Sequence, residues 1–225
     1  MKRHVPNALT FSRLVMAVVM FAFMAAYEAA PDWGPAAADG APGVSRGAML
    51  LDLALVTFLL AGVTDVLDGY FARRFSATSA LGRISDPFID KVLVCGAFAY
   101  FAGASFVVYD GQHAVNISGV ATWMAVVIFA REILVTGIRG YSERQGKAFA
   151  TTVFGKSKMA LQSASIAWIL FFVAHGRDWG AWARVLTDVL VWTTVAVTVL
   201  TAFVYVNRTR RLLAAGPGEE AGRLE

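Results

Sequence analysis

Four aspartates, Asp65, Asp68, Asp86 and Asp90, share one short stretch, DVLDGYFARRFSATSALGRISDPFID. Asp65 and Asp68 are three apart and Asp86 and Asp90 four apart, and on a helix either spacing places the pair on one face. Carboxylates gathered in one place repel, and burying charge without a partner is costly, so they require cations or protonation. Lys91, Arg73, Arg74 and Arg83 can supply part of that compensation. Divalent ions do so more completely: an oxygen-only donor set selects Mg2+, Mn2+ or Ca2+ over zinc, and the stretch holds no His or Cys. A plainer reading stays open, in which the aspartates are solvated at helix ends. Asp86, with Ser85 as a cap and Pro87 in a first turn, would complement a helix dipole. Asp65 and Asp68 do not fit that reading, because they come where an apolar segment ends and negative charge opposes the dipole. Gly69, Ala72 and Gly82 let helices approach closely and leave room for a ligand. Arg73 is a bidentate partner for a phosphate.

The elements that must position these residues lie in lipid. The 225-residue chain is 57% hydrophobic and only 16% charged, against about 25% charged in soluble domains, and its mean hydropathy is +0.58. Six apolar segments, at 11–27, 47–67, 88–108, 118–138, 158–174 and 184–206, each approach the ~20 residues a helix needs to cross a bilayer. Helix is the default there, since backbone groups in lipid must be satisfied internally. The expected fold is therefore an all-α integral membrane protein with six transmembrane helices. It forms a single domain over 1–213, followed by a disordered tail at 214–225. Residues 28–46, rich in Pro, Gly and Ala, read as a flexible connector.

Basic residues set the orientation. Lys2, Arg3, Arg73, Arg74, Arg83, Arg139, Arg144, Lys147, Lys156, Lys158, Arg208, Arg210 and Arg211 fall on one side of a six-span arrangement, and Arg46, Arg177 and Arg184 on the other. The positive-inside rule then makes both termini and the aspartate stretch cytoplasmic. The start, MKRHV before an apolar run, has the form of a signal peptide, but Arg13 within the run and the length of the run favour a span. The single cysteine, Cys95, excludes an intrachain disulfide framework.

The pattern Asp65-x2-Asp68-Gly69-x2-Ala72-Arg73-x8-Gly82-x3-Asp86-x3-Asp90 resembles the signature of the CDP-alcohol phosphatidyltransferase family at every fixed position. That family transfers a phosphatidyl group from a CDP-linked lipid to an alcohol and releases CMP. The resemblance implies that Asp65, Asp68 and Asp86 hold divalent metals, two Mg2+ or Mn2+ ions. Asp90 would add a ligand or act as the general base. It also implies that Gly69, Ala72, Arg73 and Gly82, with Asp68, line the site of CDP-diacylglycerol. A homodimer, membrane lipids as surroundings, and no nucleic-acid partner follow from the same resemblance.

Outside the signature, VPNALTFSR at the N-terminus, AREILVTGIR later, and GKSK before the fifth segment resemble the members whose acceptor is glycerol 3-phosphate. Two departures stand beside this acceptor region: Met159 where threonine is expected after Lys158, and an apolar Ala148–Phe154. Arg131 and Glu132 lie inside an apolar span, where charge is expensive and usually functional. Arg131, Arg139, Lys156 and Lys158 are expected to gather as a basic site for the acceptor phosphate. For Arg144 and Lys147, topology and lipid head groups are the simpler reading. Asn7 and Thr10 are expected at the nucleotide, and Arg13 either there or stabilising a neighbouring helix. Other acceptors, phosphatidylglycerol or inositol phosphate, would keep the chemistry. A transporter or channel using the aspartates as an ion path is the rival from another class. The expected setting is the cytoplasmic membrane of a bacterium, with the active site facing the cytoplasm.

Overall fold

The computed structural model describes residues 5–29, 46–75, 80–110, 113–144, 153–176 and 179–214. The connector expected at 28–46 and the tail at 214–225 lie almost entirely outside them. Six helices account for nearly all of the described chain: α1 (Val5–Ala29), α2 (Arg46–Phe75), α3 (Ala80–Phe101), α4 (Thr122–Arg144), α5 (Val153–His175) and α6 (Ala181–Ala214). Four segments, Phe11–Glu28, Arg46–Leu67, Ser157–His175 and Ala181–Asn207, are long and apolar enough to cross a membrane. Helices α3 and α4 have 22 and 23 residues, enough in length, but carry ionisable residues such as Asp90, Lys91, Arg131 and Glu132 within them.

The helices bury one stripe each. Ala17, Met20, Met24 and Tyr27 of α1 repeat at steps of three and four, as do Leu51, Ala54, Phe58 and Ala61 of α2. These two stripes form the most extensive helix–helix contact in the molecule. Ile89, Leu93 and Ala97 of α3, Ile166, Ile169 and Leu170 of α5, and Val191 and Val195 of α6 complete a continuous core. The opposite faces are apolar as well: Val56, Leu59, Leu60 and Val63 of α2 and Val189, Trp192, Leu200 and Phe203 of α6 are exposed. A helix that is hydrophobic all round belongs in lipid rather than at a water interface.

Many threonine hydroxyls bond within their own helix. The hydroxyls of Thr57, Thr64, Thr136, Thr187 and Thr209 each donate to the carbonyl one turn back, at 2.7–2.9 Å. Between α5 and α6, Ser165 Oγ and Thr194 Oγ1 lie 2.8 Å apart and Trp168 Nε1 donates to Thr187 Oγ1 at 2.9 Å. Such bonds tie helices together where lipid offers no hydrophobic drive.

The third apolar segment departs from an all-helical reading. Helix α3 stops at Phe101, and a 3-10 turn (Ala104–Phe106) leads into a two-stranded antiparallel hairpin, β1 (Val107–Asp110) and β2 (His113–Asn116). The helix end is closed from outside: the Phe101 carbonyl accepts from Asn116 Nδ2 at 3.1 Å and from Ser118 Oγ at 2.7 Å. Arg184 Nη2 of α6 donates to the Asn116 carbonyl at 3.1 Å, anchoring the hairpin to the bundle. Gly119, at φ +71, makes the reversal into α4.

The helix bounds also change how the aspartates sit. Helix α2 continues to Phe75, so Asp65 and Asp68 lie inside it rather than at its end. Helix α3 begins at Ala80, so Ser85 is not its cap and Pro87 is not in its first turn. Neither pair is explained as a helix-terminal charge.

Candidate active site

Helices α2 and α3 deliver the outer two aspartates of the stretch to one point. Arg13, two turns into α1, pairs through Nη1 with Asp65 Oδ1 and reaches Asp90 Oδ1 at 3.3 Å. The guanidinium is only 1% exposed, whereas the Asp65 and Asp90 side chains are 46% and 32% exposed. The cation therefore forms a floor beneath two carboxylates that remain open on their other side. Of the two roles expected for Arg13, the structure shows the one that joins helices.

A cavity of about 100 Å3 opens beside this triad. Asp65, Asp90 and Arg13 share its wall with Ala61, Gly62 and Leu93, and α5 contributes Met159 and Ser163. It has room for an ion with a few waters. Met159, the residue that stands where threonine was expected, is half exposed here. Ser163 was not singled out from the sequence; one turn beyond Met159 on α5, it shares that helix face. No described hydrogen bond links Ser163 to either carboxylate, so nothing in the geometry activates it as a nucleophile.

The other expected ligands are placed by backbone alone. Asp68, Gly69, Ala72 and Arg73 follow Asp65 along the last turns of α2, and Gly82 and Asp86 precede Asp90 in the first turns of α3. Asn7 and Thr10 lie in the first turns of α1, and Lys156 in the first turn of α5. Their side chains lie outside the described residues, and among the described residues no group of three metal-ligating side chains forms. The donor chemistry nonetheless fits a hard divalent ion: two accessible carboxylates meet at one point, with two more on the same helices one turn away.

A second charged cluster joins α4, α5 and α6. Glu132 Oε1 pairs with Lys158 Nζ of α5 and accepts from Arg131 Nη1 at 3.1 Å. Arg131 Nη2 donates to Thr201 Oγ1 of α6 at 3.1 Å, and its guanidinium carbon lies 5.8 Å from the Tyr205 ring centroid. Arg131 and Lys158 are 8% and 4% exposed. Both cations are thus covered by protein rather than open to their surroundings. Arg139 lies eight residues further along α4, a rise of roughly 12 Å along the helix axis, and is half-buried; its charge still acts on Arg131.

Two open carboxylates thus meet over a buried arginine, and a buried pair of cations joins α4 and α5. Residues 3–200 match the family described as CDP-alcohol phosphatidyltransferase. The chain belongs to that family. A relative from Bacillus subtilis (strain 168), named CDP-diacylglycerol–glycerol-3-phosphate 3-phosphatidyltransferase, is 27% identical over 207 residues, covering 91% of this chain and 94% of the relative. A relative of the same name from Escherichia coli (strain K12) is 31% identical over 173 residues, covering 76% of this chain and 79% of the relative. The aspartates on α2 and α3 are those whose spacing resembles the family's signature, and the α4–α5 cluster lies outside that stretch.

Proposed function

We propose that the protein transfers the phosphatidyl group of CDP-diacylglycerol to glycerol 3-phosphate, giving phosphatidylglycerophosphate and CMP. The observation that carries this reading is the convergence of Asp65 and Asp90 on Arg13, next to the buried Arg131–Glu132–Lys158 cluster. The names of the two relatives support the choice of acceptor.

Asp65, Asp68, Asp86 and Asp90 would hold two Mg2+ or Mn2+ ions. Bound there, such ions would neutralise the diphosphate and stabilise the CMP leaving group. Arg13 fixes the Asp65 and Asp90 carboxylates from beneath, so that their exposed edges keep one orientation. Asn7, Thr10, Gly69, Ala72, Arg73 and Gly82, with Asp68, line the CDP-diacylglycerol site. Arg131, Arg139, Lys156 and Lys158 bind the acceptor phosphate, Arg131 and Lys158 at its inner end and Arg139 further along α4.

The transfer is a single displacement. The acceptor hydroxyl oxygen attacks the phosphorus that bears the diacylglycerol, its proton passes to Asp90, and the bond to the CMP oxygen breaks as the new bond forms. The catalytic domain spans 1–213 and crosses the bacterial cytoplasmic membrane six times. Both termini and the active site face the cytoplasm, where the nucleotide and the acceptor are dissolved.

The test is CMP release by purified protein with CDP-diacylglycerol and Mg2+, offered glycerol 3-phosphate, inositol phosphate, serine or phosphatidylglycerol in parallel. Release with glycerol 3-phosphate alone is expected. Release with another acceptor alone would keep the aspartate site and overturn the acceptor assignment. Ion flux without CMP release would overturn the enzyme reading.

A further inference from the structure

The cluster at the heart of α4 contains one group to which neither the signature nor the acceptor reading gives a task. Glu132 is next to Arg131 on α4, yet its carboxylate also reaches Lys158 on α5. A single oxygen, Oε1, takes both cations. All three side chains are largely buried, at 12%, 8% and 4% exposed, so water does little to screen the repulsion between Arg131 and Lys158.

The far side of Arg131 is also fixed. Thr201 Oγ1 accepts from Arg131 Nη2 while its own proton is directed to the carbonyl of Val197, at 2.8 Å, or of Thr198, at 3.0 Å. The Tyr205 ring covers the guanidinium. What remains is a donor with no partner: Arg131 Nε is buried and unbonded among the described residues. A buried N–H without an acceptor is costly and rare unless a ligand is to supply one.

We infer that Glu132 is the positioning residue of the acceptor-phosphate site. It draws Lys158 of α5 against Arg131 of α4 before the acceptor arrives. The remaining Lys158 protons and Arg131 Nε–H then face a dianionic phosphate as a preformed set. The inference rests on the proposed use of glycerol 3-phosphate. Its physical content is that Glu132 acts through two cations and on one substrate only.

The experiment is steady-state CMP release by wild type, Glu132→Gln, Glu132→Asp, Lys158→Met and the double variant Glu132→Gln/Lys158→Met, with each substrate varied in turn. Glu132→Gln is expected to raise KM for glycerol 3-phosphate by roughly tenfold or more, the scale of a lost bond to a charged group. KM for CDP-diacylglycerol should stay within about twofold. Glu132→Asp, which keeps the charge on a shorter arm, should fall between wild type and Glu132→Gln. The double variant should lose less than the two single losses combined, because part of Glu132's effect passes through that lysine. Unchanged KM for glycerol 3-phosphate in Glu132→Gln, an equal rise in both KM values, or additive losses in the double variant would overturn the inference. If Glu132→Gln does not fold in detergent, the Glu132→Asp comparison decides alone, and there an unchanged or equally shifted pair of KM values overturns it. Wild type that ignores glycerol 3-phosphate would instead overturn the acceptor reading on which the inference stands, and the two failures are told apart in the same assay.

Discussion

Around Arg13 one buried cation holds two carboxylates; around Glu132 one carboxylate holds two buried cations. The first cluster has a negative charge in surplus and the second a positive one. They differ in cover as well as in sign. Asp65 and Asp90 are open to solvent at a cavity, while Arg131 and Lys158 are enclosed by α4, α5 and α6. The difference follows from what each must meet. Divalent ions arrive from water and need accessible oxygens. A phosphate that reaches covered cations leaves its water behind, and the attraction between them strengthens as the surroundings dry. On the proposed function, the opposite surplus charges would divide the work between holding the donor and selecting the acceptor.

The comparison can be broken at several depths. Removing divalent ions with a chelator is expected to reduce CMP release to background, with recovery on adding Mg2+ or Mn2+; activity that persists would remove the aspartate cluster's role. Asp90→Asn should lower kcat roughly 100- to 10,000-fold, the usual contribution of a positioned general base, and a variant that kept full activity would sink the base assignment. Arg13→Gln should cost about 10- to 100-fold in activity or metal affinity, the range for groups that orient metal ligands. This would be read as a higher Mg2+ concentration for half-maximal rate. At the other end, Ser165→Ala removes a bond that touches neither cluster. It should cost only about 0.6 kcal/mol, typical of interhelical bonds in membranes, seen as a small drop in thermal midpoint in detergent with kcat unchanged.

Much of this was legible in the sequence, for reasons that can be named. Six helices form where the six apolar runs lie, and four of them are long and apolar enough to cross a membrane. The aspartate spacing fixed which residues could converge, and Asp65 and Asp90 do converge. The hairpin was missed because Val107 and Val108 prolong the apolar run of α3. A cue was Gly111 between residues 107–109 and 114–115, a turn residue breaking an apolar run. Helix ends were misjudged at α2 and α3 because hydropathy falls off two turns before the helix does, at the charged residues that matter most. Arg13 could not be assigned from spacing, since its partners are 52 and 77 residues away. Glu132 stood in view beside Arg131, but its hold on Lys158 is a tertiary fact that no periodicity carries. Arg139 shares the stretch AREILVTGIR with Arg131, but two helical turns lie between them, and spacing does not say whether their charges meet.

The central claim is that the two clusters serve different ligands. One assay run on two variants tests it most directly: the Mg2+ requirement and the KM for glycerol 3-phosphate, each measured for Arg13→Gln and for Lys158→Met. The account predicts that Arg13→Gln raises the Mg2+ requirement and leaves the KM for glycerol 3-phosphate near wild type, while Lys158→Met does the reverse. Both variants shifting both quantities together would contradict the division of labour and make the charged groups one undivided site.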